Sequence, residues 1–245
     1  CVMLNKWWWS SGAEANGGGD GVVIGQSLRF LNGDELSCAV RTAGERTWTF
    51  SAWIKKAING NNTSIFTPRT LAGSSVGLRF RLNTPDNIGY QANTTNFDGC
   101  ESTALFRDPS AWYHVVCRCD FGTDLMTIWV NGEQVAQGAT TANMEFSGTM
   151  RFASGNQATH PGGLYYSDVY LLEQALEPEA FARENANGVW VPRETNFTSA
   201  QYGSNGWHLD FHDPDNLGED VAPTGTGHTA ANNFTATGFN TNPVG

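Results

Sequence analysis

The feature that most limits what this chain can become is a one-for-one alternation of apolar and polar residues, broken at short intervals by glycine. Leu28 and Phe30 alternate with Ser27 and Arg29. Trp48, Phe50, Ala52 and Ile54 alternate with Thr47, Thr49, Ser51 and Trp53, and Leu78, Phe80 and Leu82 with Arg79 and Arg81. A period of two predicts β-strands with one dry and one wet face, because successive side chains on an extended backbone point to opposite sides. Ala111–Cys119 and Leu125–Val130 are more fully apolar, as strands covered on both faces should be. Asn131-Gly132 tolerates positive φ at both positions and predicts a tight hairpin that pairs Glu133–Ala136 back, and Asn32-Gly33 reads the same way. Further strands are expected at Thr149–Ala153, Leu164–Leu172, Val189–Val191 and Trp207–Phe211. One short helix is expected over Ala180–Asn185, since Pro178 and two glutamates precede it and Gly188 follows it. Strands at this spacing, with one late helix, make an all-β, two-sheet antiparallel jelly-roll sandwich.

Composition narrows the function. The chain has 245 residues with 14 Lys+Arg against 24 Asp+Glu, a formal charge of −10. Phosphate backbones are bound by clustered Lys and Arg, so no nucleic-acid partner is expected. No apolar stretch is long enough for a helical membrane span. The chain starts at Cys1 without an initiator Met, which implies that something preceded it, and it shows no secretory apolar segment. The five cysteines form no disulfide framework and read as small buried hydrophobes; Cys38–Cys100 is the one conceivable bridge. Two regions are distinguished: an arm at 1–21, rich in Trp and Gly, and a sandwich at 22–245 that includes a C-terminal strand and tail at 207–245. Three consecutive tryptophans, Trp7, Trp8 and Trp9, cannot all face one core, so at least one is expected to meet a partner surface, a membrane interface or a sugar. An aromatic plug on the chain's own sandwich is the competing reading; the block is read as a partner-binding arm.

No catalytic constellation stands out. The glucanase pattern E-x-D-x-x-E is absent, as are G-x-S-x-G and H-E-x-x-H. No enzyme is therefore expected. In Trp207–Asp215, strand alternation puts Trp207, Leu209 and Phe211 toward the core and His208, Asp210 and His212 on the other face. Asp210, Asp213, Asp215 and Asp220 form a candidate divalent-cation site, with Ca2+ favoured by the carboxylates and zinc by the histidines beside them; a solvated polar face running into an Asp-rich turn accounts for the same residues. No other cofactor is expected. Sugar binding needs aromatic platforms, for which Trp53, Tyr90 and Trp190 are candidates, while Trp48 and Trp112 are expected in the core.

Several segments together resemble a known family. They are Gln26-Ser27-Leu28-Arg29-Phe30, Arg46–Lys56, Phe106–Val116, Ile128–Val135 and Asp168-Val169-Tyr170-Leu171-Leu172. These resemble the laminin-G-like, concanavalin A-like sandwich. With Gly188–Glu194 and Leu209-Asp210-Phe211, they are similar to the version common in tail and virion proteins of marine tailed phages, over about residues 22–240. The family's W-x-F-D segment usually precedes the first of these strands; here the similar Trp207–Phe211 comes last. That order implies a circularly permuted arrangement, in which Trp207–Phe211 and the tail complete the sheet begun by Val22–Leu31. The family's calcium site is not matched residue by residue. The resemblance implies a virion structural protein at the particle surface, of the capsid-decoration or tail-fibre kind, anchored by its terminal arms. Its implied partners are other virion proteins, further copies of itself and a host-surface glycan. A free glycan-binding lectin is the competing reading, and a glycan-degrading enzyme the third.

Overall fold

The computed structural model describes residue 22 and residues 24–31, 33–60, 63–69, 77–80, 86–91, 100–141, 144–152 and 163–239. The expectations for Trp7–Trp9, Leu82 and the extreme C-terminal tail lie outside the described residues.

Two antiparallel sheets stack face to face. The first runs β1 (Leu28–Phe30), β11 (Leu164–Leu172), β3 (Trp48–Lys56), β7 (Trp112–Asp120), β8 (Leu125–Val130) and β9 (Glu133–Ala139), with β14 (Trp207–Leu209) also on β11. The second runs β15 (Thr235–Thr237), β2 (Glu35–Ala39), β10 (Thr149–Phe152), β4 (Thr63–Thr67), β5 (Gly77–Phe80) and β6 (Ile88–Gln91). A separate two-stranded hairpin joins β12 (Ala182–Glu184) to β13 (Trp190–Pro192). The fold is the two-sheet antiparallel sandwich expected from the alternation, of the concanavalin A-like kind that the motif resemblance implied.

Alternation builds the core directly. Trp48, Phe50, Ala52 and Ile54 on β3 are all fully buried and meet Phe66, Leu78, Phe80 and Tyr90 of the second sheet. Phe50 and Phe66 stack with ring centroids 4.7 Å apart, and Trp207 sets its ring edge-on to Phe50, Phe66 and Phe152. Aromatic pairs in these geometries add to the stabilisation from burial alone.

The last strands finish both sheets. β14 pairs with Val169–Leu171, and β1 pairs with Leu164–Tyr166, so the two lie end to end along one edge of β11. β15 does the same for β2 in the second sheet. Trp207–Leu209 thus joins the sheet begun by residues near Leu28, as the order of motifs implied, but the tail does not: its strand β15 pairs with β2 and extends the second sheet instead.

Some expectations are corrected. Gly33 has φ +92°, but the turn it belongs to makes no hairpin: β1 lies in the first sheet and β2 in the second, so the chain crosses between sheets there. The helix expected over Ala180–Asn185 is a single 3-10 turn at Pro178–Ala180 followed by β12. Pairing of Arg183 with Val191, and burial of Phe181, outweigh the local helix signals. The α-helical turn lies at Ser199–Tyr202 (α1), where the Gln201 side chain accepts from the Thr198 N–H at 2.9 Å. Trp112 is half-buried at the start of β7, not in the core. Cys38, Cys100, Cys117 and Cys119 are free thiols, so no Cys38–Cys100 bridge forms. Asn131 (φ 52°) and Gly132 (φ 82°) form the expected hairpin turn.

One end of the sandwich carries a buried ion pair. Lys56 Nζ bonds Asp86 Oδ1 and the Phe106 carbonyl, and sits 4.5 Å above the Phe80 ring. Burial opposes the charge on Asp86, yet bonds from Lys56 and the Gly60 N–H, with the Arg107 guanidinium nearby, hold its carboxyl below the usual range.

Candidate functional site

The wet face that alternation assigned to β3 is not wet. Thr49, Ser51 and Trp53 are buried, as are Val116, Trp129, Tyr170 and Leu172 on the neighbouring strands. The segment after β11, including the β12–β13 hairpin and α1, packs across this outer face and forms a second core through Phe181, Tyr202 and Phe197. Two polar–aromatic clusters sit in that layer.

The first centres on His114 of β7. Its Nδ1 accepts the indole N–H of Trp190 at 3.0 Å, its Nε2 lies 2.9 Å from Ser51 Oγ, and its ring stacks on Trp53 at 4.9 Å. An indole nitrogen only donates, so the Trp190 bond puts the imidazole proton on Nε2, and Ser51 Oγ accepts from it. Burial pushes the His114 pKa down to about 3, and the ring is neutral at pH 7. A base that already donates to a serine cannot take that serine's proton, so this is no nucleophile–base pair. Trp190 also lies flat over the hairpin turn: a Cβ at Gly132 would fall 2.7 Å from its ring. Its side chain is clamped from two sides while remaining partly exposed.

The second cluster lies on β11. The pairing of β11 with β3 shifts between Ser167 and Tyr170, a β-bulge, and Asp168 within it has φ +49°. The Asp168 carboxylate accepts from His208 Nε2 at 2.8 Å. The His208 ring stacks on Tyr170 at 4.0 Å, and the Tyr170 hydroxyl bonds Thr195 Oγ1 at 3.1 Å. Burial first, and the Asp168 charge second, push the Tyr170 pKa up.

The structure thus gathers two of the three proposed aromatic platforms, Trp53 and Trp190, around His114. Only Trp190 retains an exposed face; Trp53 is covered by the outer layer, and Tyr90 is fully buried between the sheets beside Trp48. Tyr90 lies on the inward side of β6 in the alternation, which explains its place. The four aspartates are not brought together. Asp210 accepts from the His212 N–H and Asp213 from the Asp215 N–H, each closing a local turn. Asp220 is buried and accepts from the N–H groups of His208, Ala222 and Asn232, beside His228. Among the described residues no group of three or more His, Cys, Asp or Glu side chains converges as a cation site. His114, Ser51 and Asp168 were not singled out in the sequence, because neither a covered outer face nor a bulge has a local residue signature.

The comparisons agree with this architecture. The laminin-G family model described as the concanavalin A-like lectin/glucanases superfamily matches residues 17–182, more than half of the chain, and the chain belongs to that family. Among solved structures it is similar to a candidate carbohydrate binding protein from Bacteroides ovatus, at 17% identity and a TM-score of 0.53, covering 86% of this chain and 58% of that one. It is also similar to Trypanosoma rangeli sialidase, at 13% identity and a TM-score of 0.48, covering 64% of this chain and 26% of that one. A SAP-like pentraxin from Limulus polyphemus aligns at 18% identity and a TM-score of 0.41, covering 60% of this chain and 73% of that one. No curated protein sequence matches the chain. The likeness to the Bacteroides protein is one of fold, and this chain spans under two thirds of that protein's length.

Proposed function

We propose that the chain is a non-catalytic, glycan-binding sandwich displayed at the surface of a virion and anchored by its terminal arms. The observation that carries the binding half is Trp190: a partly exposed indole held by His114 and by the Gly132 turn. A sugar ring presents an apolar C–H face, and an aromatic side chain already fixed in place loses little entropy on meeting it. The lectin-like fold supports the same reading. The virion setting rests on the resemblance of the strand motifs to phage tail and virion proteins, and its partners are other virion proteins and further copies of the chain. The His–Ser geometry argues against acyl-transfer chemistry.

Quantitative mass spectrometry of purified particles tests the virion half, with a fixed copy number per particle expected and absence from particles contradicting it. Deleting residues 1–20 should abolish incorporation while leaving glycan binding intact. A free lectin would instead bind a glycan array equally well and never co-purify with particles.

A further inference from the structure

We propose that Asp168 and His208 form a subsite for sugar hydroxyls at the break in the edge strand of the first sheet; this rests on the glycan-binding reading and adds a location to it. β14 ends on β11 at Val169, and β1 begins at Tyr166, so between them the edge of β11 is left to Ser167 and Asp168. The Ser167 hydroxyl bonds the Gln26 carbonyl there. Asp168 occupies the left-handed region, which an aspartate adopts at a cost and which persists only where the surroundings enforce it. Bulges of this kind re-aim a side chain. Here the carboxylate is turned onto His208 Nε2, which donates to it and leaves Nδ1 of the ring with no hydrogen bond among the described residues.

The pair is mostly but not wholly withdrawn from water, with side-chain exposures of 19% for His208 and 16% for Asp168. A carboxylate so placed accepts from a ligand hydroxyl more strongly than it would in bulk solvent, and an imidazole nitrogen fixed by its partner reads the neighbouring hydroxyl. Tyr170, stacked beneath the imidazole and tied to Thr195, prevents the ring from turning. The ligand this chemistry takes is a vicinal diol on a pyranose ring.

The test uses the full chain on an array of defined neutral and sialylated oligosaccharides, followed by calorimetric titration of the strongest binder. Asp168→Asn keeps a residue that tolerates positive φ and keeps an acceptor for His208, but removes the charge. His208→Phe keeps the stack on Tyr170 and removes both ring nitrogens. Each variant should bind at least about tenfold more weakly, the loss of one charge-assisted hydrogen bond, with its melting temperature little changed. Should Asp168→Asn misfold, His208→Phe decides alone. A wild-type chain that binds no glycan overturns both the lectin reading and the subsite. Wild-type binding that survives in the folded variants overturns the subsite alone.

Discussion

The molecule has two cores, and they are built differently. The one between the sheets is lined by aliphatic and aromatic side chains from nearly every long strand, with Trp48, Phe50, Phe66, Phe152 and Trp207 at its centre. The one on the outer face of the first sheet is small and mixed: Val116, Leu172, Trp129, Tyr170, Phe181 and Tyr202, with His114 and Ser51 beside them. The inner core depends on shape and buried area. The outer one adds hydrogen bonds that fix individual side chains, of which Trp190 to His114 and Tyr170 to Thr195 are examples. A region of the second kind holds groups in defined orientations, which is what a binding surface requires.

The contrast can be broken experimentally, and acid gives the largest expected effect. Unfolded His114 takes up a proton near its ordinary pKa of 6.5, whereas the folded residue resists until about 3. Stability contributed by the neutral ring is therefore full above that ordinary value and falls as pH drops toward the lower one. The loss over this window is on the order of 5 kcal/mol. Urea unfolding at successive pH values should show that slope, and His114→Gln, which accepts and donates without titrating, should flatten it. An unchanged slope would mean that the outer layer is not where acid acts.

Phe66→Ala comes next. It removes a ring packed on Phe50, Phe152 and Trp207, and should cost about 3–5 kcal/mol in the same assay. Phe181→Ala should cost less, about 2 kcal/mol, because the outer segment can settle onto the space it leaves. It should also expose Trp190 and Trp53 to acrylamide quenching while the inner tryptophans stay protected. Equal costs for the two truncations would erase the distinction between the cores.

How much of this was legible in the sequence follows the same division. Leu125–Val130 and Leu164–Leu172 are strands with those same limits, and Trp207, Leu209 and Phe211 face the core as alternation required. Alternation reports which residues share a face; it is silent on whether the polar-looking face is later covered. Thr49, Ser51 and Trp53 are buried because residues more than a hundred positions away lie over them, as the Thr49 Oγ1 bond to the Gln174 carbonyl shows. The same long-range covering turned a helix signal at Ala180–Asn185 into a hairpin strand. At the candidate sites, His208 was legible as an outward residue of its strand, but its partner Asp168 was not. A bulge is set by the register between strands, and nothing local in Ser167-Asp168-Val169 announces it.

On the proposed reading, ligand is met by the layer that covers the outer face of the first sheet and by the edge of β11 beside it. The most direct measurement is hydrogen–deuterium exchange of the full chain with and without the array-selected glycan. Added protection is expected over Ser167–Tyr170 and Trp207–Leu209 and at the Trp190 hairpin. Protection confined to the opposite face, over Ser37, Thr67 and Arg151 of the second sheet, would contradict it.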